Sequence, residues 1–410
     1  MRWSSLIALL ALMIVVFAAP AIAAQITLAQ ALDLARRNNP DLAAVSRELT
    51  IASGEIVRAN YPSQFNPTLG TAGNYRIRWN SANSQDWQVG LAQEIEIFGQ
   101  KELRRESASL GYQQTGYVVQ DRRRMFTSAV KLTYFEALRV KGQLELLTEL
   151  EALNDRLLKA AQTRFAAGEI GQIDANLARV RYGEARRAVI QSTELYRIDR
   201  SSLGRLLGGA AGPEPEPGGG LGPMTLNGDL ESLLAVAIAN RPDLKAANVE
   251  VARLKTDSEL NKKLALPNPT IGGFGGHELN SEYFMGGTVG IPIPLFNRRQ
   301  AEATIIAGRL AQAQDLLRAK QLDVERDVRD AYSGYVAARE ELDVSNQDVV
   351  GPARESFDLL EQAFLAGKMD LLTVSVAERQ VFEARMSYVD SWFGVAHAKA
   401  MVELATGVDQ

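Results

Sequence analysis

The 410-residue chain has no cysteine and only two histidines, His277 and His397. Without cysteine there is no disulfide and no N-terminal thiol to carry a lipid, and neither histidine has a ligand-spaced partner, so no metal site is expected. Proline is absent from Gln100 to Ala167, and Pro352 is the single one from Arg298 to Ala366. Beyond the first two dozen residues no run is apolar enough for a spanning helix, so entry into a bilayer would have to use strands. Basic excess is lacking too: 45 Lys and Arg stand against 49 Asp and Glu, a formal net charge of −4. Arg122-Arg123-Arg124 is the one basic run of note. It falls in an acid-rich helical segment, where a solvated or salt-bridging face accounts for it, and nucleic acid is not an expected partner. No phosphate loop, nucleophile elbow or metalloprotease helix occurs. Glu94 and Glu96 share a strand face where a lumen or rim position explains them, and Met285 and Met369 belong to no methionine track. Neither an enzyme nor a cofactor is expected.

What is present begins with a leader. Arg2, the apolar run from Leu6 to Phe17 and the small-x-small triplet Ala21-Ile22-Ala23 predict a secretory signal peptide over residues 1–23. The run is shorter than the roughly 20 residues of a spanning helix.

The rest is written twice. RFAAGEIGQIDANLARVR, residues 164–181, returns as AFLAGKMDLLTVSVAERQ, residues 363–380, with Phe165 and Gly168 answered by Phe364 and Gly367 at an offset of 199. NPDL and NPTLG, at Asn39 and Asn66, return as RPDL and NPTIG, at Arg241 and Asn268, both at 202, and Phe98 is answered by Phe296 at 198. Constant spacing marks a tandem duplication. The first repeat is placed at residues 24–207 and the second at 229–410. Residues 208–228, rich in Gly and Pro, are expected to form a linker with too little apolar surface to pack.

Each repeat predicts the same series of elements. Thr27 with Gln30 forms a capping box for a short helix, which stops at Asn38-Asn39-Pro40. Leu42, Val45, Leu49, Ala52, Ile56 and Ala59 then follow a 3.5-residue period. A β-hairpin over about 67–97 alternates Leu69, Tyr75, Ile77 and Trp79 with Asn74, Arg76 and Arg78, and Trp87, Val89 and Leu91 with Gln88 and Glu94. Arg76, Arg78 and Glu94 are assigned to a lumen-facing side, and Trp79 and Trp87 to an interfacial girdle beside the turn. The second hairpin, about 269–293, is richer in glycine. Gly99 with Glu102, and Asn297 with Gln300, are expected to cap the helices that follow. Those helices are unusually long: about 67 proline-free residues would span roughly 100 Å. Gly168 and Gly367 then turn the chain into a return helix.

Four strands per chain cannot close a barrel, and open edges facing lipid would cost several kcal/mol per unpaired group. Copies of the chain must complete the sheet, and three give 12 strands with room for a lumen. The expected fold is therefore an α+β membrane protein: a β-barrel of four strands per chain, 12-stranded as a trimer, continued by a long α-helical coiled-coil tunnel. A periplasmic coiled-coil adaptor or scaffold would share the leader and helices but not the two amphipathic hairpins.

The duplicated layout, the element VGIPIPLFNRRQAEA at Val289 to Ala303 and the turn sequence RFAAGEIGQIDANLARVR resemble the TolC family of outer-membrane efflux channels across essentially the whole mature chain. The Pro-Leu-Phe-Asn-Arg element most resembles that family's heavy-metal (CzcC-like) subgroup. The resemblance implies a homotrimer in the bacterial outer membrane, partnered by a periplasmic adaptor and an inner-membrane pump of RND type. It implies passive exit of substrates such as heavy-metal cations, with organic compounds or secreted polypeptides as alternative cargo. Carried onto this sequence, it places adaptor docking at Arg164, Gly168, Ile170, Gly367 and Leu371, and a pore constriction at Asp174, with Asp370 and Thr373 in the second repeat. Two departures stand out: Ala363 replaces the arginine of the first repeat, and Thr373 stands where relatives carry an acid.

Overall fold

The structure, a computed structural model, describes residues 25–79, 83–219, 224–278, 282–348 and 350–408. The expected signal peptide, the two hairpin turns near residues 80–82 and 279–281, and linker residues 220–223 lie outside them. The elements run α1 (Leu28–Asn38), α2 (Pro40–Ala59), β1 (Thr68–Arg76), β2 (Ser84–Glu94), α3 (Gln100–Ala166) and α4 (Gln172–Leu206). They repeat as α5 (Leu230–Asn240), α6 (Pro242–Leu264), β3 (Thr270–Glu278), β4 (Glu282–Gly290), α7 (Gln300–Asp348), α8 (Val350–Leu365) and α9 (Leu371–Thr406). None of the described helices is long and apolar enough to cross a membrane.

Two compact units result. One gathers the chain up to Asn39 with Val130–Pro223 and Ser345–Phe393; the other gathers Pro40–Ala129, Met224–Val344 and the chain from Gly394. In the second unit Leu233, Leu234 and Ala237 of α5 pack with Val324, Val328 and Tyr335 of α7 and with Val395, Val402 and Ala405 of α9. In the first unit Leu153, Leu157 and Ala161 of α3 meet Ala178 of α4, Leu360 and Phe364 of α8, and Leu371 and Val374 of α9. These are one-residue-per-turn faces of long helices, which is why the sequence shows a heptad period.

The four strands form one antiparallel sheet in the order β1-β2-β3-β4. Thr68 pairs with Ala92, Trp87 with His277 and Thr270 with Gly290. The sequence extends the first strand to Trp79, whereas β1 ends at Arg76, so Ile77, Arg78 and Trp79 lie beyond the ladder. There the Arg78 N–H donates to Asn83 Oδ1 at 3.1 Å instead of to a strand. Thr27 and Gln30 do form the expected capping box, with 2.9 and 3.3 Å bonds. The start of α3 differs from expectation, whereas at α7 the expected Asn297 and Gln300 both bond the corner, Asn297 Oδ1 accepting from the Arg299 N–H at 2.9 Å. The Phe98 N–H donates to Gln100 Oε1 at 2.9 Å and the Arg298 N–H to Gln300 Oε1 at 2.7 Å, so at the first corner glutamine takes the place expected of Glu102. The residue between is left-handed in both copies, Gly99 at φ 79° and Arg299 at φ 59°.

The connector between repeats also corrects the sequence expectation. Pro215, Pro217 and Gly218 are buried, and Ile26 bridges Pro217 in parallel. Polar contacts do the holding that apolar area could not. Glu216 accepts from Lys141 Nζ at 2.7 Å and from the Tyr196 hydroxyl at 2.8 Å, and the Tyr134 hydroxyl donates to the Ile26 and Gly218 carbonyls. Burial pushes the Glu216 carboxyl up, but bonds from Lys141 and Tyr196 outweigh it and hold the group below its ordinary value.

Candidate functional site

The sheet has two chemically distinct faces because its register keeps odd residues together. On one face Leu69, Tyr75, Trp87, Val89, Leu91, Ile271, Tyr283, Met285 and Val289 stand in adjoining rows. All are exposed, from 42% at Val89 to 90% at Met285. An apolar surface of that extent is unfavourable in water at roughly 25 cal/mol per Å² and matches the lipid side of a membrane strand. His277 stacks edge-on against Tyr283 with ring centres 5.1 Å apart, an aromatic pair on the same face.

The other face carries Asn74, Arg76, Asp86, Gln88, Glu94, Glu278 and Thr288. Arg76 Nη2 lies 2.9 Å from Asp86 Oδ2 and 2.8 Å from Glu278 Oε1, tying three strands together. Glu94 Oε1 accepts from Asn268 Nδ2 at 2.9 Å. Phe274 and Phe284 are the exceptions on this polar face, with ring centres 6.1 Å apart. The glycines of the second hairpin make room for them. A Cβ on Gly286 would stand 2.6 Å from Phe274 Cζ, and one on Gly276 2.7 Å from Phe284 Cζ. The sequence shows these glycines, but not the rings they make room for.

The helical turns are near copies of one another. Gly168 has φ 77°, its N–H donates to the Phe165 carbonyl at 3.0 Å, and the Glu169 N–H donates to the Arg164 carbonyl at 2.9 Å. Gly367 has φ 68°, with the matching bonds Gly367 to Phe364 at 3.0 Å and Lys368 to Ala363 at 2.9 Å. Both are Schellman endings, in which the left-handed glycine satisfies carbonyls that the helix leaves open. Among the residues assigned to docking, Gly168 and Gly367 are exposed, whereas Leu371 is 3% exposed and Ile170 packs against the same core. Arg164 turns across to the second copy. Its Nη1 donates to the Phe364 carbonyl at 3.3 Å and its Nε to Glu169 Oε2 at 3.2 Å. The most exposed apolar side chains at the turns are Ile173, 82% exposed, and Leu372, 62% exposed, at equivalent positions of the two return helices. The sequence signal for them was available: each follows the turn glycine by five residues.

The acidic residues assigned to a constriction are both helix-start groups. Asp174 Oδ2 accepts from the N–H of the N-cap Gly171 at 3.3 Å. Asp370 is itself at the cap position and accepts from the Thr373 N–H at 2.6 Å, which holds its carboxyl below the ordinary aspartate value. Thus the charge missing at Thr373 reappears one turn earlier, and the two repeats solve the same capping problem from opposite ends.

Farther along these helices Glu378, 5% exposed, accepts from Asn154 Nδ2 at 2.5 Å through Oε1. Its Oε2 and Arg181 Nε are buried without a hydrogen-bond partner, beside a cavity of about 200 Å³ lined also by Ser375 and Phe382. Burial pushes the Glu378 carboxyl up, with Asn154 and the Arg181 charge partly offsetting it. Among the described residues no group of three or more His, Cys, Asp or Glu is arranged to hold a metal.

An open, amphipathic four-stranded sheet on a duplicated set of very long helices defines an outer-membrane channel subunit with a periplasmic helical extension. The family model described as outer membrane efflux protein matches residues 31–209 and 233–407. The chain belongs to that family, the outer membrane efflux proteins of TolC type. It is 27% identical over 369 residues to the cobalt-zinc-cadmium resistance protein CzcC of Cupriavidus metallidurans, covering 90% of this chain and 86% of that one. It is 24% identical over 388 residues to the pyoverdine export outer membrane protein OpmQ of Pseudomonas putida, covering 87% and 80%. The crystal structure of the Campylobacter jejuni CmeC outer membrane channel superposes with a TM-score of 0.78 at 15% identity, over 93% of this chain and 85% of that one.

Proposed function

We propose that three copies of the chain form the passive exit duct of a tripartite efflux assembly, loaded through a periplasmic adaptor by an inner-membrane pump of RND type, and that its cargo is heavy-metal cations. The observation that carries the reading is the placement of a carboxylate at the start of each return helix, Asp174 and Asp370. Three copies would bring six such groups to the tunnel end, a constriction that favours cations. Likeness to a cobalt-zinc-cadmium resistance protein supports the cargo, and the adaptor would meet the turns at Gly168 and Gly367 with Ile173 and Leu372 beside them. On the sheet, Arg76 and Glu94 would face the lumen. Selection belongs to the pump, because the duct offers charge without a ligand set.

The 24% likeness to a pyoverdine exporter favours a second reading, an organic chelate as cargo. A deletion strain separates them. Accumulation of zinc, cobalt or cadmium, reversed by the wild-type chain and not by one carrying Asp174→Asn with Asp370→Asn, supports the cation duct. Unchanged metal content together with retained organic compound overturns it. Cysteines at Ile173 and Leu372 should capture the adaptor; capture only from other surfaces would refute the docking assignment.

A further inference from the structure

The polar face of the sheet is charged at its two ends and uncharged between them. Asp86, Glu278 and Glu282 lie toward the hairpin turns, with Arg76 bonded to the first two, and Glu94 stands at the opposite end beside Thr270. The three rows between hold no ionisable side chain. In the first, Thr68 pairs with Ala92, Ala92 with Gly272 and Gly272 with Thr288. In the second, Gly70 pairs with Gly90, Gly90 with Phe274 and Phe274 with Gly286. In the third, Ala72 pairs with Gln88, Gln88 with Gly276 and Gly276 with Phe284. Glycine and alanine fill most of this band. Glycine weakens a strand, and its usual reason for being there is that something approaches the backbone closely.

The two rings account for the glycines of β3 and β4 and leave those of β1 and β2 bare. Phe274 leans over β4, where its Cζ would stand 2.6 Å from a Cβ on Gly286, and Phe284 leans back over β3, where its Cζ would stand 2.7 Å from a Cβ on Gly276. On β1, by contrast, a Cβ on Gly70 would meet nothing within 4 Å. The result is a cleft of about 310 Å³ beside Phe274, floored by Gly70, Gly90 and Ala92 and edged by Thr68, Gln88 and Thr288. That volume falls at the lower end of the ~300–1,000 Å³ typical of small-molecule sites. Its floor is flat for want of side chains, one wall is a partly exposed aromatic ring, and its rim offers two hydroxyls and an amide. None of its lining residues is charged.

We propose that this cleft binds uncharged, planar aromatic compounds, with one ring face on the floor of Gly70 and Gly90, the ring edge against Phe274, and a polar substituent within reach of Gln88 or the threonine hydroxyls. The chemistry selects that occupant. A metal cation finds no carboxylate or imidazole among the lining residues, and an anion finds no guanidinium or ammonium. A bulky aliphatic group matches neither the flat floor nor the offset or edge-on packing that a phenyl ring favours. Bare backbone beside an aromatic ring is apolar surface facing a water-filled duct, and a flat ligand removes it from water. The proposal rests on the reading of this face as the lumen and is independent of the cation cargo. It gives the barrel an affinity of its own for one class of organic compound, at one cleft per chain.

The cysteine-free chain allows the cleft to be probed from a single thiol at its rim. The full-length protein, purified from outer membranes in detergent, would carry Thr68→Cys and be timed against two uncharged reagents with the same reactive group, N-phenylmaleimide and N-cyclohexylmaleimide. Each rate is divided by that at an Arg37→Cys control on α1. The phenyl reagent should react roughly two- to tenfold faster than the cyclohexyl one, the range expected of one aromatic contact. That advantage should vanish with Phe274→Leu, which removes the wall, and with Gly70→Leu, which fills the cleft from a position with open space above it. The unheated trimer band reports the folding of each variant, and either one that folds decides the point. Equal normalised rates for the two reagents would overturn the cleft, as would an advantage that persists in the folded variants. The lumen reading is tested separately in lipid vesicles with a sulfonated, membrane-impermeant maleimide. Labelling of Thr68→Cys and not of Leu69→Cys supports it, and the reverse would overturn both the lumen reading and the cleft.

Discussion

The guanidinium of Arg164 lies 5.4 Å from the centre of the Phe364 ring, two hundred residues away in sequence, while its Nη1 bonds the carbonyl of the same phenylalanine. The first helical turn thus clasps the second through one side chain that the second repeat, with Ala363 at this position, does not return.

Replacing Arg164 by alanine removes a cation–π contact worth about 0.5–1 kcal/mol and one of the two hydrogen bonds to the Phe364 carbonyl, leaving that from the Gly367 N–H. Amide hydrogen exchange around residues 364–370 should accelerate several-fold, with Arg164→Lys intermediate. Unchanged exchange would show that the clasp contributes nothing and that Arg164 serves an outside partner alone.

Glu378 should make the helical region less stable as pH rises. Its folded value is raised above the ordinary carboxylate value, so between the two the folded state binds more protons than the unfolded one, and stability falls as pH climbs through that window. Arg181 and Glu184 on α4, Asn154 on α3 and Ser375 and Arg379 on α9 are the polar groups lining the cavity beside it. Glu378→Gln keeps an acceptor for Asn154 and removes the buried charge, so it should stabilise the protein at neutral pH by about 1–3 kcal/mol and flatten the pH dependence of thermal unfolding. Destabilisation at every pH would mean that the charge is required.

At Asp370 the sign is opposite. The Thr373 N–H holds its carboxyl low, so its contribution is present above the ordinary aspartate value and is lost as pH falls through the lowered one. Asp370→Ala should lower the thermal midpoint at neutral pH and leave it unchanged in strong acid. Asp370→Asn, which can still cap, should lose less. Equal loss for both at neutral pH would point to the charge rather than the cap.

Gly208 and Gly209 both sit in the left-handed region, at φ 67° and 73°, but only the first is crowded: a Cβ there would strike the Asn38 carbonyl, whereas Gly209 faces open space. Gly209→Ala should cost about 1–2 kcal/mol from backbone conformation alone. Gly208→Ala should cost more than that, read as a lower yield of folded trimer and a lower midpoint of thermal unfolding. Similar losses for both would show that the connector yields readily.

Periodicity made the helices legible, since a heptad face and a proline-free run leave few alternatives, and the turn glycines announced themselves by recurring at one offset. What stayed hidden depended on partners distant in sequence. The connector reads as loose because its anchors, Lys141, Tyr196 and Tyr134, belong to helices elsewhere in the chain. Arg78 reads as a strand residue because alternation continues past the point where Arg76 pairs with Ser84 and the ladder stops. Leu371 and Ile170 read as docking residues, yet an apolar side chain beside a tight turn is drawn into the nearest core, here that of Phe364 and Val374. Asp174 and Asp370 read as pore charges, and their cap bonds become visible only when the helix starts are located.

At the corner before each long helix the duplicated halves have parted ways. Gly99 takes its left-handed conformation at no steric cost, whereas Arg299 takes it against preference and fastens its Nε to Asn261 Oδ1 at 2.7 Å. The two corners therefore differ in what change they will tolerate. Glycine at 299 would relax the backbone while surrendering a tether, so that gain and loss oppose each other, but a side chain at 99 would bring strain with no tether waiting. Inherited variation should collect at the second corner and be purged from the first.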